Sequence, residues 1–485
     1  MKSIKMRGIC AAVTGALLFG FGANAMADST TDIVNALVAK GVLTEEEGAL
    51  LNKGREGEAA GQAKALKKAS KLKVSDAIDS ATVYGDIRVR YEDRQGSGVI
   101  ATDGANVDSK RDRARYKLTL GAKTESGNWY SDLALAMGST GRSDNATFGK
   151  TNGSLNDKEA VYIKRAMVGY KATDWLTLEA GRMDNPLYTT PMVWDADLTV
   201  EGLSEKVKFK ANDNLELFGV AGQWAYKGDR YLTDASGATV SKASTTNELL
   251  AFQGGLKYAF NDRTSAKAAI TYSTITSNNA GSNFKPGVSN KVLTTNYAVN
   301  DLDTIEIPAE INWMASSNIG VRLFGDYVYN TSGSDRFNKA VLASGTDATA
   351  VQAAGNDDTA WMLGLMVASA KDFKAFEGNK MAKGDWSARL WYQDVGVYAV
   401  DQNAVDSDFM DSRVNMKGVV LKAQYNVEDN VLVNFAYGHA TRKNDALAAA
   451  GSAFDLSTNA GPSTGNVGAN LKDYDLVQLD LTYKF

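Results

Sequence analysis

The chain has 485 residues, of which 44% are hydrophobic, 9% aromatic and 23% charged, and its formal net charge is -4 at pH 7. A mean hydropathy of -0.27, and no apolar run of about 20 residues beyond the signal-like start, exclude a bundle of membrane helices. With 8 Trp, 20 Tyr and 16 Phe the chain is too aromatic for a solvated coil, so composition by itself matches a soluble globular protein.

The first 27 residues read as an export signal. Lys2, Lys5 and Arg7 form a positive start, an apolar core runs from Ala11 to Phe21, and Ala25-Met26-Ala27 supplies a small-x-small cleavage site. Cys10 is the one cysteine and leaves with the signal. The mature chain, expected to start near Asp28, therefore offers no disulfide scaffold, thiol catalysis, iron–sulfur site or covalent haem. Losing three cations and no acids takes the charge from -4 to about -7, and neither value points to nucleic acid.

Residues 28–81 read as a small helical segment. Ile33, Val34, Leu37 and Val38 share one helical face, with Gly41 placed to stop it. Thr44-Glu45-Glu46-Glu47 reads as a capping box opening a second helix. Lys64, Lys67, Lys68, Lys71 and Lys73 then form a basic helical tract, read as a solvated face.

After Ala81 the period changes from 3.6 to 2. Val83, Gly85, Ile87, Val89 and Tyr91 alternate with Tyr84, Asp86, Arg88, Arg90 and Glu92. The same alternation recurs to the end, where Val477, Leu479, Leu481, Tyr483 and Phe485 alternate with Gln478, Asp480, Thr482 and Lys484. One apolar and one polar face over roughly 10 residues is the pattern of a transmembrane barrel strand. Short turns near 125–128, 173–175, 212–214, 261–264, 316–318 and 428–430 alternate with long polar connections. The long ones lie near 94–111, 138–158, 184–205, 227–246, 276–303, 331–358, 398–415 and 443–471; the link at 373–384 is longer than its short siblings. Strands are expected to start near residues 82, 111, 129, 160, 176, 206, 215, 247, 265, 304, 319, 359, 385, 416, 431 and 472. The expected fold is thus an all-β transmembrane barrel over 82–485 with about 16 antiparallel strands, with 14 and 18 as alternatives. Aromatics gather at strand ends. Trp129, Trp175, Trp313 and Trp386 lie near the short turns, and Tyr91, Trp224, Tyr226, Tyr272, Tyr327 and Tyr437 lie at the other end, so two girdles are expected.

These features resemble a Gram-negative outer-membrane porin. The resemblance rests on the signal, the alternating stretch 82–485 and the C-terminal Tyr483-Lys484-Phe485, which is similar to the signal read by the outer-membrane assembly machinery. The helical segment, Ala180-Gly181-Arg182-Met183 and Asn185-Pro186 resemble the family of putative porins. The general-porin resemblance implies a sixteen-stranded barrel, often a homotrimer, whose third outer loop folds inward as a constriction. Here that loop would be 184–205. The implied surroundings are outer-membrane lipid and lipopolysaccharide, with small hydrophilic solutes inside.

Strand parity supplies a charge map of the lumen. Arg88, Arg90, Arg113, Arg115, Lys117, Lys206, Lys208 and Lys210 take inward parity, because each would cost about 2–4 kcal/mol facing lipid near the midplane. Asp184, Asp195, Asp197, Glu201 and Glu205 fall in the candidate constriction loop. Acids facing a basic wall would set a transverse field across the narrowest point, the alternative being plain lumen salt bridges or a loop packed outward. The lone His439 shares the parity of Val433, Phe435 and Tyr437 and reads as a rim residue, and no phosphate loop or metal-ligand spacing occurs. The expected function is passive diffusion of small hydrophilic solutes and ions, without enzymatic activity or cofactor. Alternatives are a phosphate- or oxyanion-selective porin, an outer-membrane barrel enzyme, or an electron-conduit sheath.

Overall fold

The alternating stretches form antiparallel strands whose two faces meet different surroundings. On the first strand Val83, Ile87, Val89 and Tyr91 are exposed, while Arg90, Glu92 and Arg94 between and beyond them are buried. In water this order would be inverted, since a soluble chain hides its apolar side chains and rarely shows a contiguous apolar patch beyond a few hundred Å2.

The computed structural model describes residues 77–485 except 100–105, 139–142, 150–157, 228–229, 234–238, 244–246, 277–301, 344–347, 370–381, 402–403, 407, 409–413 and 445–470. The expected signal and most of the helical segment lie outside the described residues. The strands are β1 (Ser80–Val99), β2 (Asn106–Ser126), β3 (Trp129–Met137), β4 (Ala146–Thr147), β5 (Val161–Lys171), β6 (Leu176–Asp184), β7 (Thr199–Lys210) and β8 (Leu215–Lys227). Then follow β9 (Arg230–Thr233), β10 (Thr239–Ala243), β11 (Asn247–Asn261), β12 (Thr264–Ile275), β13 (Asp303–Glu306), β14 (Ala309–Met314) and β15 (Gly320–Asn330). Helices α1 (Gly333–Ala343) and α2 (Ala348–Ala354) precede β16 (Thr359–Ala368), β17 (Trp386–Val395), β18 (Met416–Glu428), β19 (Val431–Arg442) and β20 (Leu471–Lys484).

Each strand pairs with its chain neighbours, and β20 pairs back onto β1 from Asp86↔Lys484 to Gly98↔Leu471, which closes the sheet. β4 is a two-residue patch on β2, β9 and β10 form a separate two-stranded sheet, and β13 and β14 are halves of one stave. Sixteen staves remain. The split stave is explained by Pro308, which has no N–H for the ladder but whose carbonyl still accepts from Ala269 at 3.0 Å. Among the described residues no helix is long and apolar enough to cross a membrane. A closed barrel crosses by its strands, because every backbone group finds a partner within the ring.

Four expectations are corrected. The connection expected at 94–111 is largely strand, the β1–β2 ladder continuing to Val99↔Asn106. Past Tyr91 the outward positions turn polar (Asp93, Gln95), so the alternation stops there although the pairing does not. The strand expected from residue 206 starts at Thr199, since Glu201 and Glu205 take outward parity with Leu203 and Val207 and interrupt the apolar face. Trp224 and Tyr226, expected in a girdle, take inward parity: Trp224 is buried and donates its indole N–H to Ser204 Oγ at 3.0 Å, and the Tyr226 hydroxyl donates to Asp401 at 2.7 Å. The sixth long connection contains α1 and α2, whose Phe337, Ala340, Val341 and Val351 pack into an apolar cluster with strand residues.

Phe485 sits at the closure. Its backbone exchanges two hydrogen bonds with Gly85, at 2.9 and 3.0 Å. A Cβ on Gly85 would lie 2.4 Å from the Thr119 carbonyl oxygen and 2.6 Å from Phe485 Cζ, so only glycine leaves the seam undistorted. Gly85→Val should therefore lower barrel stability by about 1–3 kcal/mol, the usual range for overpacking. A urea titration of the folded form, separated by its migration on unheated gels, checks this; an unchanged midpoint would mean that the seam tolerates a side chain.

Candidate functional site

Inward parity on β1 and β2 gathers cations on one stretch of the inner wall, and they meet acids there. Arg90 donates from Nε and Nη2 to the Asp480 carboxylate at 2.7 and 2.9 Å and from Nη1 to Asp408 at 3.0 Å. Arg113 donates to Glu92 at 2.7 Å, and Arg94 bridges Glu92 at 2.9 Å and Asp408 at 3.2 Å. Arg88 donates to Asn145 Oδ1 at 2.6 Å, and Arg115 to Ser143 Oγ at 2.9 Å. Lys117 lies 3.9 Å from Asp86 and 3.8 Å from Asp144. The segment 143–147 of the second long connection thus lies along this wall. The cations of β7 stand apart. Lys206 pairs with Glu179 at 2.5 Å, Lys208 with Glu216 at 3.0 Å, and Lys210 with Asp213 at the short turn at 3.1 Å.

The third long connection is shorter than the expected 184–205 and covers 185–198. Asp184 ends β6 and pairs with Arg165 at 3.0 Å, while Glu201 and Glu205 lie on β7. Glu201 pairs with Arg182 across the ladder. The loop itself keeps Asp195 and Asp197. Asp195 is buried and accepts the Asp197 amide at 2.9 Å, and Asp197 lies within electrostatic reach of Lys117 and Asp406. Beneath the loop, Gly181 and Gly202 face each other with φ of 119° and 152°, a conformation that side chains resist.

The loop then folds against the inner wall formed by β11, β13, β14 and β15. The Tyr188 amide donates to Gln253 Oε1 at 2.9 Å and its hydroxyl to Glu310 at 3.0 Å, while Thr189 and Thr190 donate to Glu306 and Asp326, each at 2.5 Å. Burial, with Glu310 beside it, pushes the Tyr188 phenol up, so it stays a donor.

The seventh long connection, 396–415, also folds inward. It meets the third through backbone bonds, Asp195 N–H to the Ala404 carbonyl at 2.6 Å and Asp406 N–H to the Pro191 carbonyl at 3.0 Å. Its Asp408 then reaches Arg90 and Arg94. The two loops therefore form a chord across the lumen, anchored at β11–β15 and at β1. On one side of the chord, Val328, Met362, Trp391 and Val420 from the staves pack with Tyr398, Val400 and Val405 of the seventh loop. The polar wall of β1 and β2, with Arg88, Arg115 and Lys117, lies elsewhere on the ring. Burial alone would raise the Asp408 carboxyl, but Arg90 and Arg94 overcome this and hold it well below the usual carboxylate range.

The lone histidine, His439, takes outward parity near the long-loop end. Its Nδ1 lies 2.9 Å from Asp475 Oδ1, which also accepts from the Tyr437 hydroxyl at 3.1 Å. Among the described residues no cluster of His, Cys, Asp and Glu suited to a metal ion occurs.

Similarities to known proteins include the following two. The family model described as "Putative porin" matches residues 92–297 and 293–485. A crystal structure of the outer membrane channel DcaP of Acinetobacter baumannii aligns with a TM-score of 0.40 at 11% identity, covering 85% of this chain and 99% of that one. No curated protein matches the sequence.

The Asp408 contacts set an expectation for the chord. Asp408→Asn should speed amide exchange in 396–408 and 185–198 together, because the two loops share backbone bonds, and leave the staves protected. A depressed carboxyl stabilises the loop fully above its unfolded value and loses that contribution only as pH falls through its lower folded value. Acid should therefore loosen the wild-type chord only below about pH 4. Hydrogen exchange read by mass spectrometry checks both; loosening near pH 6, or of one loop alone, would contradict the linkage.

Proposed function

Since the chain belongs to the putative porin family, we propose that it forms a water-filled channel through which small hydrophilic solutes and ions diffuse passively, with a preference for anions. The outer membrane is its location, and the family and the barrel fit a channel rather than an enzyme. The observation that carries the reading is the inner wall of β1 and β2, where Arg88, Arg113, Arg115 and Lys117 lie on the polar side of the chord. Asp144 and Asp197 stand near Lys117, and we read the set as a transverse field at the narrow point. Such a field orients dipolar solutes, and low-dielectric walls strengthen it. Arg90 is saturated by Asp480 and Asp408 and serves to anchor the seventh loop.

A second reading, selectivity for phosphate or other oxyanions, is favoured by one observation. The Nε groups of Arg88 and Arg115 are buried without a hydrogen-bond partner among the described residues. A tetrahedral oxyanion between them would accept both.

The proposal extends to the chain's ends. Residues 1–27 serve as the export signal, 28–81 as a periplasmic segment, and Tyr483 and Phe485 as the strand end taken up by the assembly machinery. Association as a homotrimer, and contact with lipopolysaccharide at the outer rim, complete the reading.

The reversal potential across a salt gradient tests it. In planar bilayers the wild-type channel should give a reversal potential on the anion side, and Arg113→Gln with Arg115→Gln should move it toward cation preference. Unchanged selectivity would show that this wall does not set it. Saturable block of chloride current by phosphate, lost in Arg115→Gln, would favour the oxyanion reading over simple diffusion.

A further inference from the structure

Behind the chord, between the two inward loops and the wall of β8, β11, β12, β13 and β15, lies a cavity of about 70 Å3. That is room for about five waters or one compact organic molecule. Its surface is mainly apolar and aromatic, with Trp194, Trp224 and Tyr226 contributing. Both indole N–H groups are spent elsewhere, Trp194 on the Leu198 carbonyl at 3.3 Å and Trp224 on Ser204, so what the rings offer the cavity is carbon surface.

Two acidic side chains line the cavity, Asp401 and Glu306, the latter also hydrogen-bonded to Asp326, and among the described residues no Lys, Arg or His lines it. Each is fixed by a hydroxyl donor, Glu306 by Thr189 at 2.5 Å and Asp401 by Tyr226 at 2.7 Å. At the same wall Asn185 is held by its carbonyl oxygen, which accepts the Leu187 amide at 3.0 Å. Its Nδ2 is left buried with no acceptor among the described residues. A buried donor without a partner is costly, and an occupant carrying an oxygen would satisfy it. Aromatic surface together with acidic side chains, and no basic group among the described lining residues, is the chemistry that recognises an organic ammonium ion.

We infer that this cavity binds a compact organic ammonium ion bearing an oxygen acceptor, of the amino-alcohol class. The cation lies against the aromatic surface under Glu306 and Asp401, and the ligand oxygen accepts from Asn185 Nδ2. The site is separate from the basic wall, so it takes solutes of the sign opposite to those favoured there. The inference stands on the cavity walls alone and holds whether or not the polar side of the chord conducts.

Calorimetric titration of the full-length protein in detergent with choline chloride tests it, beside its uncharged isostere 3,3-dimethylbutan-1-ol. Choline should bind saturably, and the isostere at least about tenfold more weakly, as expected when a desolvated charge loses its partner. Asp401→Asn and Glu306→Gln keep the hydroxyl contacts and should each weaken choline by at least about tenfold while the gel migration of the folded barrel is unchanged. No saturable choline binding, equal affinity for the isostere, or wild-type affinity in both variants would overturn the assignment.

Discussion

In hydrocarbon no water is available to a backbone N–H or C=O, so a sheet can cross a membrane only by closing on itself. The pairing of β20 with β1 meets that demand here. Gly85 and Phe485 make the seam, the glycine giving up a side chain so that the terminal ring and the Thr119 carbonyl can approach. Closure then fixes everything else about the strands. Along the apolar band one face must be apolar, as Val83, Ile87 and Val89 are, and the charges between them, such as Arg90, turn inward.

Charges confined to the interior need partners. Glu92 holds Arg94 and Arg113, and Asp480 holds Arg90, so part of the basic wall is neutralised by its own staves. What remains is answered by loops. Asp144 arrives from the second long connection and Asp408 from the seventh. The loop arrangement thus follows from the wall, and the chord of the third and seventh loops divides the lumen into an apolar packed side and a polar side. This differs from the single inward loop implied by general-porin resemblance, because the contact with Arg90 and Arg94 on β1 comes from Asp408 of the seventh connection.

The strands were legible in the sequence because lipid enforces their alternation. The staves at 129, 176, 215, 247, 359, 416 and 431 start where periodicity places them. Legibility fails where lipid stops enforcing it. The far ends of β1 and β2 pair beyond the apolar band, and Glu201 and Glu205 place charge on the outward parity of β7. Trp224 was misplaced because an aromatic at a strand end looks the same whether it faces lipid or a cavity. The chord was invisible for a different reason. Its central contacts are the carbonyls of Pro191 and Ala404, and backbone groups leave no mark in the sequence. The inward cations on β1 and β2 are readable from parity; the loop partners, from Ser143, 28 residues from Arg115, to Asp408, 318 residues from Arg90, are not.

The proposed channel requires the polar side of the chord to be an open aqueous passage. Single-channel recording of the purified full-length protein in planar bilayers tests it most directly. An open passage predicts discrete ohmic steps whose size rises in proportion to the conductivity of the bathing salt. Insertion of folded barrels without any such steps would contradict it.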